Sequence, residues 1–207
     1  MCAFDSIREW GHLFIWYNSG LFFILMGKLI VCITGMSGAG KSTIAKVASE
    51  MGFDRISMGD VIREEARRRR LTEDDSNLGR IMLELRETRG LGAVAELCLP
   101  AIQRSKNSRL VVDGVRSVEE LEVFKRLGNV LVISITSAPD KRKEFLLRRD
   151  RLDAPRDSGS FRDRDSRESQ VGVGGAMAVA DIFIDNSHIT LEQLKAEAAI
   201  VFNKLAK

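Results

Sequence analysis

Gly35-Met-Ser-Gly-Ala-Gly-Lys-Ser-Thr43 follows directly on the apolar run Leu29-Ile-Val-Cys-Ile33. Gly35-x4-Gly40-Lys41-Ser42 has the spacing of a phosphate-binding loop. Its glycines let the backbone curl until successive N–H groups face one anion. The apolar run reads as a parallel strand buried on both faces. Ile44, Val47, Ala48 and Met51 then fall at helical spacing, and Gly52 ends that helix. Strand, glycine loop and helix in this order aim a helix N-terminus at the phosphates. The segment Gly35, Met36, Ser37, Gly38, Ala39, Gly40, Lys41, Ser42 and Thr43 is therefore expected to bind ATP. Lys41 reaches the β- and γ-phosphates, and the Ser42 hydroxyl ligates Mg²⁺.

Working outward, strands alternate with helices. Phe53–Ser57, Leu110–Val112, Val130–Ile135 and Ile182–Ile184 are the further strands expected. Residues 60–105 read as mostly helical, with stripes at Leu78, Ile81, Met82, Leu85 and at Val94, Leu97, Cys98, Ala101. Ser117-Val-Glu-Glu120 has the pattern of a capping box, as does Thr190 with Gln193. Ser137-Ala-Pro-Asp140 opens a basic helix reaching about Arg151. Pro155, Gly159 and the charged run to Arg167 read as a mobile excursion. The expected fold is an α/β P-loop NTPase: a five-stranded parallel sheet covered by helices on both faces. Ligands of such sheets bind beyond the carboxyl ends of the strands. Gly35, Asp60, Asp113, Ser137 and Asn186 each follow a strand, so one cleft is expected. Asp113 closes an apolar strand, where a carboxylate holds Mg²⁺ directly or through water.

The chain has 207 residues, a net charge of +3, and 44% apolar and 29% charged residues, suiting one domain with small insertions. Cys2, Cys32 and Cys98 are scattered and odd in number, which argues against a disulfide framework or a Cys/His zinc site. A reducing, cytoplasmic setting is expected, and Cys32 reads as a core residue. Residues 1–27 read as an N-terminal extension outside the fold. Leu13 to Met26 is apolar but broken by Asn18-Ser19-Gly20, and a membrane span wants about 20 apolar residues; a hydrophobic anchor is the competing reading of this segment. Between Lys141 and Arg167 ten Lys or Arg face six Asp or Glu, which suits an anionic partner or a solvated face. Only Phe145 and Phe161 fall there, few for stacking single-stranded nucleic acid.

Asn-Lys-x-Asp and Asp-x-x-Gly, the guanine and switch signatures of GTPases, occur nowhere. Ser57-Met-Gly-Asp60-Val-Ile-Arg63 and Asp113-Gly-Val-Arg116 instead resemble the Thr-Gly-Asp-x-x-Arg and Asp-Gly-Phe-Pro-Arg stretches of nucleoside monophosphate kinases, the second without its Pro. The helical stretch 58–106 resembles that family's acceptor-binding insertion, and 148–170 its lid. Arg148-Arg149-Asp150 and Ala180-Asp-Ile-Phe-Ile-Asp-Asn186 look like dephospho-CoA kinase. The whole of residues 28–206 resembles an uncharacterised adenylate-kinase-related family. The resemblance implies that Arg63 and Arg116 grip an acceptor phosphate, that Asp60 orders the acceptor site, and that Asn186 to His188 lie near the adenine. It also implies that some of Arg148, Arg149, Arg151, Arg162, Arg164 and Arg167 close over ATP. Lys41, Asp60, Arg116 and Arg151 are then the candidate catalytic residues, and Mg²⁺ and ATP the cofactors. Arg67 to Arg70 read as a solvated helix end. The expected activity is transfer of the γ-phosphoryl group to AMP or a related monophosphate. A hydroxyl acceptor such as dephospho-CoA, or a regulatory ATPase without an acceptor, are the competing readings.

Overall fold

The computed structural model describes residues 27–148, 152–155 and 157–206. Five strands alternate with nine helices among these residues. The strands are β1 (Lys28–Thr34), β2 (Asp54–Ser57), β3 (Arg109–Val115), β4 (Gly128–Thr136) and β5 (Ile182–Asp185). The helices are α1 (Lys41–Glu50), α2 (Met58–Arg68), α3 (Asp75–Arg89), α4 (Ala93–Arg104), α5 (Val118–Lys125), α6 (Pro139–Leu147), α7 (Ser158–Gln170), α8 (Val173–Ala178) and α9 (Leu191–Leu205). The sheet order is β2-β3-β1-β4-β5, and every pairing is parallel. Among the described residues no helix is long and apolar enough to cross a membrane.

Burial on both faces explains the unbroken apolar runs. Ile30 and Cys32 of β1 join Leu110, Val112 and Val132 under α2 to α5 and α8. Val31 and Ile33 point the other way and join Val111, Ile133 and Ile135 under α1 and α9. Successive strand residues alternate faces, so a two-sided sheet needs apolar residues at every step. Phe53 and Phe202 close the second face edge to face, their centroids 5.1 Å apart. Cys32 and Cys98 are buried free thiols, and burial pushes the Cys98 thiol up to about 12. They are core residues, as read for Cys32.

At the carboxyl end of the central strands the register breaks. Ile33 faces Asp113, but Thr34 faces Val115. The residue skipped is Gly114, whose φ is +103°. This bulge sets Asp113 at the sheet edge beside the Gly-rich loop.

Three expectations need correction. The stretch after Pro155 is not an excursion: Ser158–Gln170 is the helix α7, started by a reciprocal capping box between Asp157 and Ser160. Only Phe161 and Glu168 of it are buried, so no apolar stripe announces it. The basic helix ends at Leu147, short of Arg151. The Ser117 cap is real, but its other half is altered. The Ser117 hydroxyl accepts the Glu120 N–H, while the Glu120 carboxylate accepts the Arg116 N–H at 2.7 Å and pairs with Arg86. The final helix keeps the full box between Thr190 and Gln193.

Candidate active site

The Gly-rich loop takes the shape its sequence demands. Gly35 has φ +137°, and a Cβ there would lie 2.3 Å from the Ile135 carbonyl oxygen. At Gly38 φ is +82°, and a Cβ would stand 2.7 Å from the carbonyl oxygen of Arg142 on α6. Only glycine meets both demands at each position. No side chain caps α1, so its first N–H groups stay open to an anion. Asn186 braces the loop from β5, its amide donating to the Ala39 carbonyl at 2.9 Å. Lys141 in turn donates to the Asn186 carbonyl at 2.5 Å and to its side-chain oxygen at 3.0 Å. His188 is exposed.

Lys41 donates to the Gly35 and Met36 carbonyls at 2.6 and 2.9 Å. Burial pushes its ammonium down to about 8; Glu168 and Asp113 act to raise it, Arg116 and Arg164 to lower it further. Asp113 is buried, and Arg55 donates to its Oδ2 at 3.0 Å. Ser42 and Asp113 line the same cavity. A hydroxyl and one carboxylate suit Mg²⁺, which takes few protein ligands and the rest from phosphates and water. Among the described residues no cluster of three or more His, Cys, Asp or Glu side chains forms a separate metal site.

Two cavities adjoin at this edge. The larger, about 560 Å³, runs along the loop and under α6, from Ser37 and Lys41 to Phe145 and Arg148. The smaller, about 70 Å³, lies among α2, α3, α4 and α7, with Met58, Ile62, Leu78 and Val94 among its walls. Gly59, Arg63, Arg116, Asp153 and Arg164 line both.

The predicted residues divide by where they fall. Arg63 and Arg116 stand at the junction, yet both already hold carboxylates. Arg63 donates to Asp60 at 2.6 Å and Asp153 at 2.9 Å; Arg116 donates to Glu168 at 3.0 Å. Asp60, expected inside the acceptor site, lines neither cavity. It sits in the first turn of α2 with its side chain 67% exposed, so it touches the junction only through Arg63. Among the lid arginines, Arg164 lines both cavities and Arg167 the smaller one, where it pairs with Asp75. Arg148 rims the larger cavity and pairs with Glu144. Arg162 is exposed and lines neither. Arg149 and Arg151 lie outside the described residues. Arg67 and Arg69 pair with Glu64, Glu73, Glu65 and Glu84, in keeping with a solvated helix end.

Three residues at the site carry no local sequence signal. Arg142 is buried on α6; its guanidinium forks onto Asp165 at 2.8 and 2.6 Å, reaches the Ser37 carbonyl at 3.1 Å and covers the Phe161 ring. Asp153 is buried between Arg63 and Arg164. Glu168 is buried against the loop: Oε2 accepts the Ser37 N–H at 2.8 Å, and Oε1 accepts the Ser37 hydroxyl. Burial would raise the Glu168 carboxyl, but Arg116, Lys41, Arg164 and the Ser37 hydroxyl outweigh it and hold it well below the usual range.

The sheet order, the loop and the carboxylate at the neighbouring strand end define a P-loop nucleotide-binding protein of the kinase-like type. A family model described as an AAA domain matches residues 34–168. A UPF0200 protein of Hyperthermus butylicus is 38% identical over 178 residues, 86% of this chain and 95% of that one. A UPF0200 protein of Methanosarcina barkeri is 40% identical over 176 residues, 84% and 94% of the two chains. The chain belongs to the UPF0200 family. Among solved structures it resembles a shikimate kinase from Acinetobacter baumannii, with a TM-score of 0.54 at 16% identity, over 91% of this chain and 97% of that one. At that identity the likeness concerns the fold.

Proposed function

We propose that the protein is an ATP-dependent phosphotransferase that passes the γ-phosphoryl group to a small nucleotide-like acceptor, AMP or a related monophosphate. One observation carries this reading. The cavity along the phosphate loop adjoins a second pocket, and three arginines, Arg63, Arg116 and Arg164, line both. A bare ATPase needs only the first cavity. A transferase needs both, with positive charge where they meet, because phosphoryl transfer is catalysed mostly by alignment and electrostatic stabilisation. The solved neighbour named above is a shikimate kinase in complex with shikimate, so a fold of this kind serves small-molecule phosphotransfer in that protein.

In this scheme the loop N–H groups and Lys41 hold the β- and γ-phosphates. Ser42 and Asp113 would hold Mg²⁺, which neutralises charge on the phosphate oxygens. Arg116 and Arg164 line the γ-phosphoryl group up with the acceptor. The bond from phosphorus to the β–γ bridging oxygen breaks, a bond to the acceptor oxygen forms, and ADP leaves. A phosphate acceptor attacks without losing a proton. A hydroxyl acceptor must give one up, and the carboxylate that lines both cavities is Asp153, whereas Asp60 lines neither.

The test is ADP release from Mg-ATP across a panel of nucleoside monophosphates and dephospho-CoA. One acceptor is expected to stimulate turnover at least about a hundredfold, since positioning effects of that size are ordinary. Asp153→Asn separates the acceptor types: loss of turnover with ATP binding intact marks a hydroxyl acceptor. Equal hydrolysis with every acceptor and with none would leave the regulatory ATPase.

A further inference from the structure

Glu168 has no part in the transfer as described, yet it occupies the centre of the site. It is 3% exposed. Its oxygens accept the Ser37 N–H, the Ser37 hydroxyl and Arg116 Nη2, and Arg164 Nε lies 3.8 Å from Oε1. The charge of Lys41 also bears on it. One carboxylate thus collects donors from the phosphate loop, the turn after β3 and α7, and a nearby ammonium from α1. Among the described residues Arg116 Nε has no hydrogen-bond partner, so the cluster holds donor capacity beyond what this carboxylate uses.

These are the groups a phosphoryl group would need. A carboxylate and a terminal phosphoryl group are both oxyanions that accept charge-assisted hydrogen bonds from the same donors. The place also matches. Glu168 lines the smaller pocket, and its partners Arg116 and Arg164 line both. A phosphoryl group in transit between the cavities must sit at their junction. Two anions cannot share one set of donors in a buried site without heavy repulsion.

We propose that Glu168 is an internal anion occupying the subsite of the donor's terminal phosphoryl group, and that Mg-ATP binds fully only by expelling it. The inference rests on the reading of the loop as an ATP site. Expulsion is expected to disturb α7, which carries Glu168 together with Arg164, which reaches the Asp153 carbonyl at 2.6 Å, and Arg167, which pairs with Asp75 on α3. The smaller pocket, about 70 Å³ with Glu168 in place, would widen in the same motion. Small-molecule sites usually span about 300 to 1,000 Å³. The filled subsite thereby couples arrival of the terminal phosphoryl group to opening of the acceptor pocket. ADP lacks that group and has no need to displace the carboxylate.

The experiment compares Mg-ADP with the non-hydrolysable imido analogue of Mg-ATP by calorimetry, on the full chain and on Glu168→Gln, which keeps the shape and removes the charge. The variant is expected to bind the ATP analogue at least about tenfold tighter, because the fraction of protein with an empty subsite rises. ADP affinity should stay within about twofold. Hydrogen exchange on the unaltered chain supplies a second readout should the variant fold poorly. The ATP analogue is expected to speed amide exchange in residues 158–170, and ADP to leave it unchanged. If the two nucleotides respond alike to Glu168→Gln, or the ATP analogue binds it more weakly, the placeholder role is overturned while the ATP reading stands. If the unaltered chain binds neither nucleotide, the ATP reading falls and the inference with it.

Discussion

Lys41 shows how a single residue links burial to ligand chemistry. Its ammonium is pushed down to about 8. It is therefore largely charged at pH 7 and largely neutral by pH 9. Phosphate binding requires the charged form, so above about pH 8 binding takes up one proton. The affinity for the imido analogue of ATP is predicted to fall about tenfold per pH unit there. The groups facing Lys41 are Glu168, Asp113, Arg116 and Arg164; Glu168, held well below the usual range, stays ionised throughout. Lys41→Arg should flatten the profile, since arginine keeps its charge over that interval. A pH-independent affinity in the unaltered chain would contradict this account. Gly38 answers to geometry instead. Gly38→Ala must place a methyl 2.7 Å from the Arg142 carbonyl at φ +82°. The left-handed backbone alone costs about 1–2 kcal/mol, and relief of the clash must shift α6. Weaker nucleotide binding together with a lower melting temperature is the expected outcome, the first by calorimetry and the second by scanning calorimetry.

At the level of elements, α5 is tied to α3 through a buried charge pair. Arg86 and Glu120 are 3% and 0% exposed. Glu120 also accepts the Arg116 N–H, so the pair fixes the backbone from which Arg116 reaches the site. Removing one partner of such a pair strands a charge and typically costs about 3–5 kcal/mol. Arg86→Met should lower stability by that order in denaturant titration. Adding Glu120→Gln to it should recover a good part of the loss, whereas simple additivity would speak against the pairing.

The same scale shows what could be read from residues alone. The central strands were legible because two-sided burial leaves no room for a polar residue between Leu29 and Ile33. The loop was legible because its glycines answer constraints that no other residue meets. α7 was not. Its sequence, SGSFRDRDSRESQ, has no apolar period, since it packs through ion pairs to distant partners: Arg142 with Asp165 and Arg167 with Asp75. Such pairs leave no mark at helical spacing. Glu168 and Asp153 were hidden for the same reason, as lone acids in a charged stretch. The motif around Asp60 pointed to the junction through Arg63; Asp60 itself stays exposed in the first turn of α2, while Asp153 reaches the same Arg63 from 90 residues on.

The whole molecule is a sheet whose carboxyl edge carries two adjoining cavities, an arginine cluster between them and a buried acid in its midst. Every part of that edge has a use if a phosphoryl group crosses from one cavity to the other. Its fate is the most direct test. The chain is incubated with Mg-ATP labelled on the γ-phosphate and the panel of monophosphates and dephospho-CoA, and the products are separated. The label is predicted to appear on one acceptor, and Lys41→Met is predicted to cut that transfer at least about a hundredfold, the usual scale for losing an electrostatic stabiliser of the transition state. Label recovered only as inorganic phosphate, at one rate whatever the acceptor, would contradict the account.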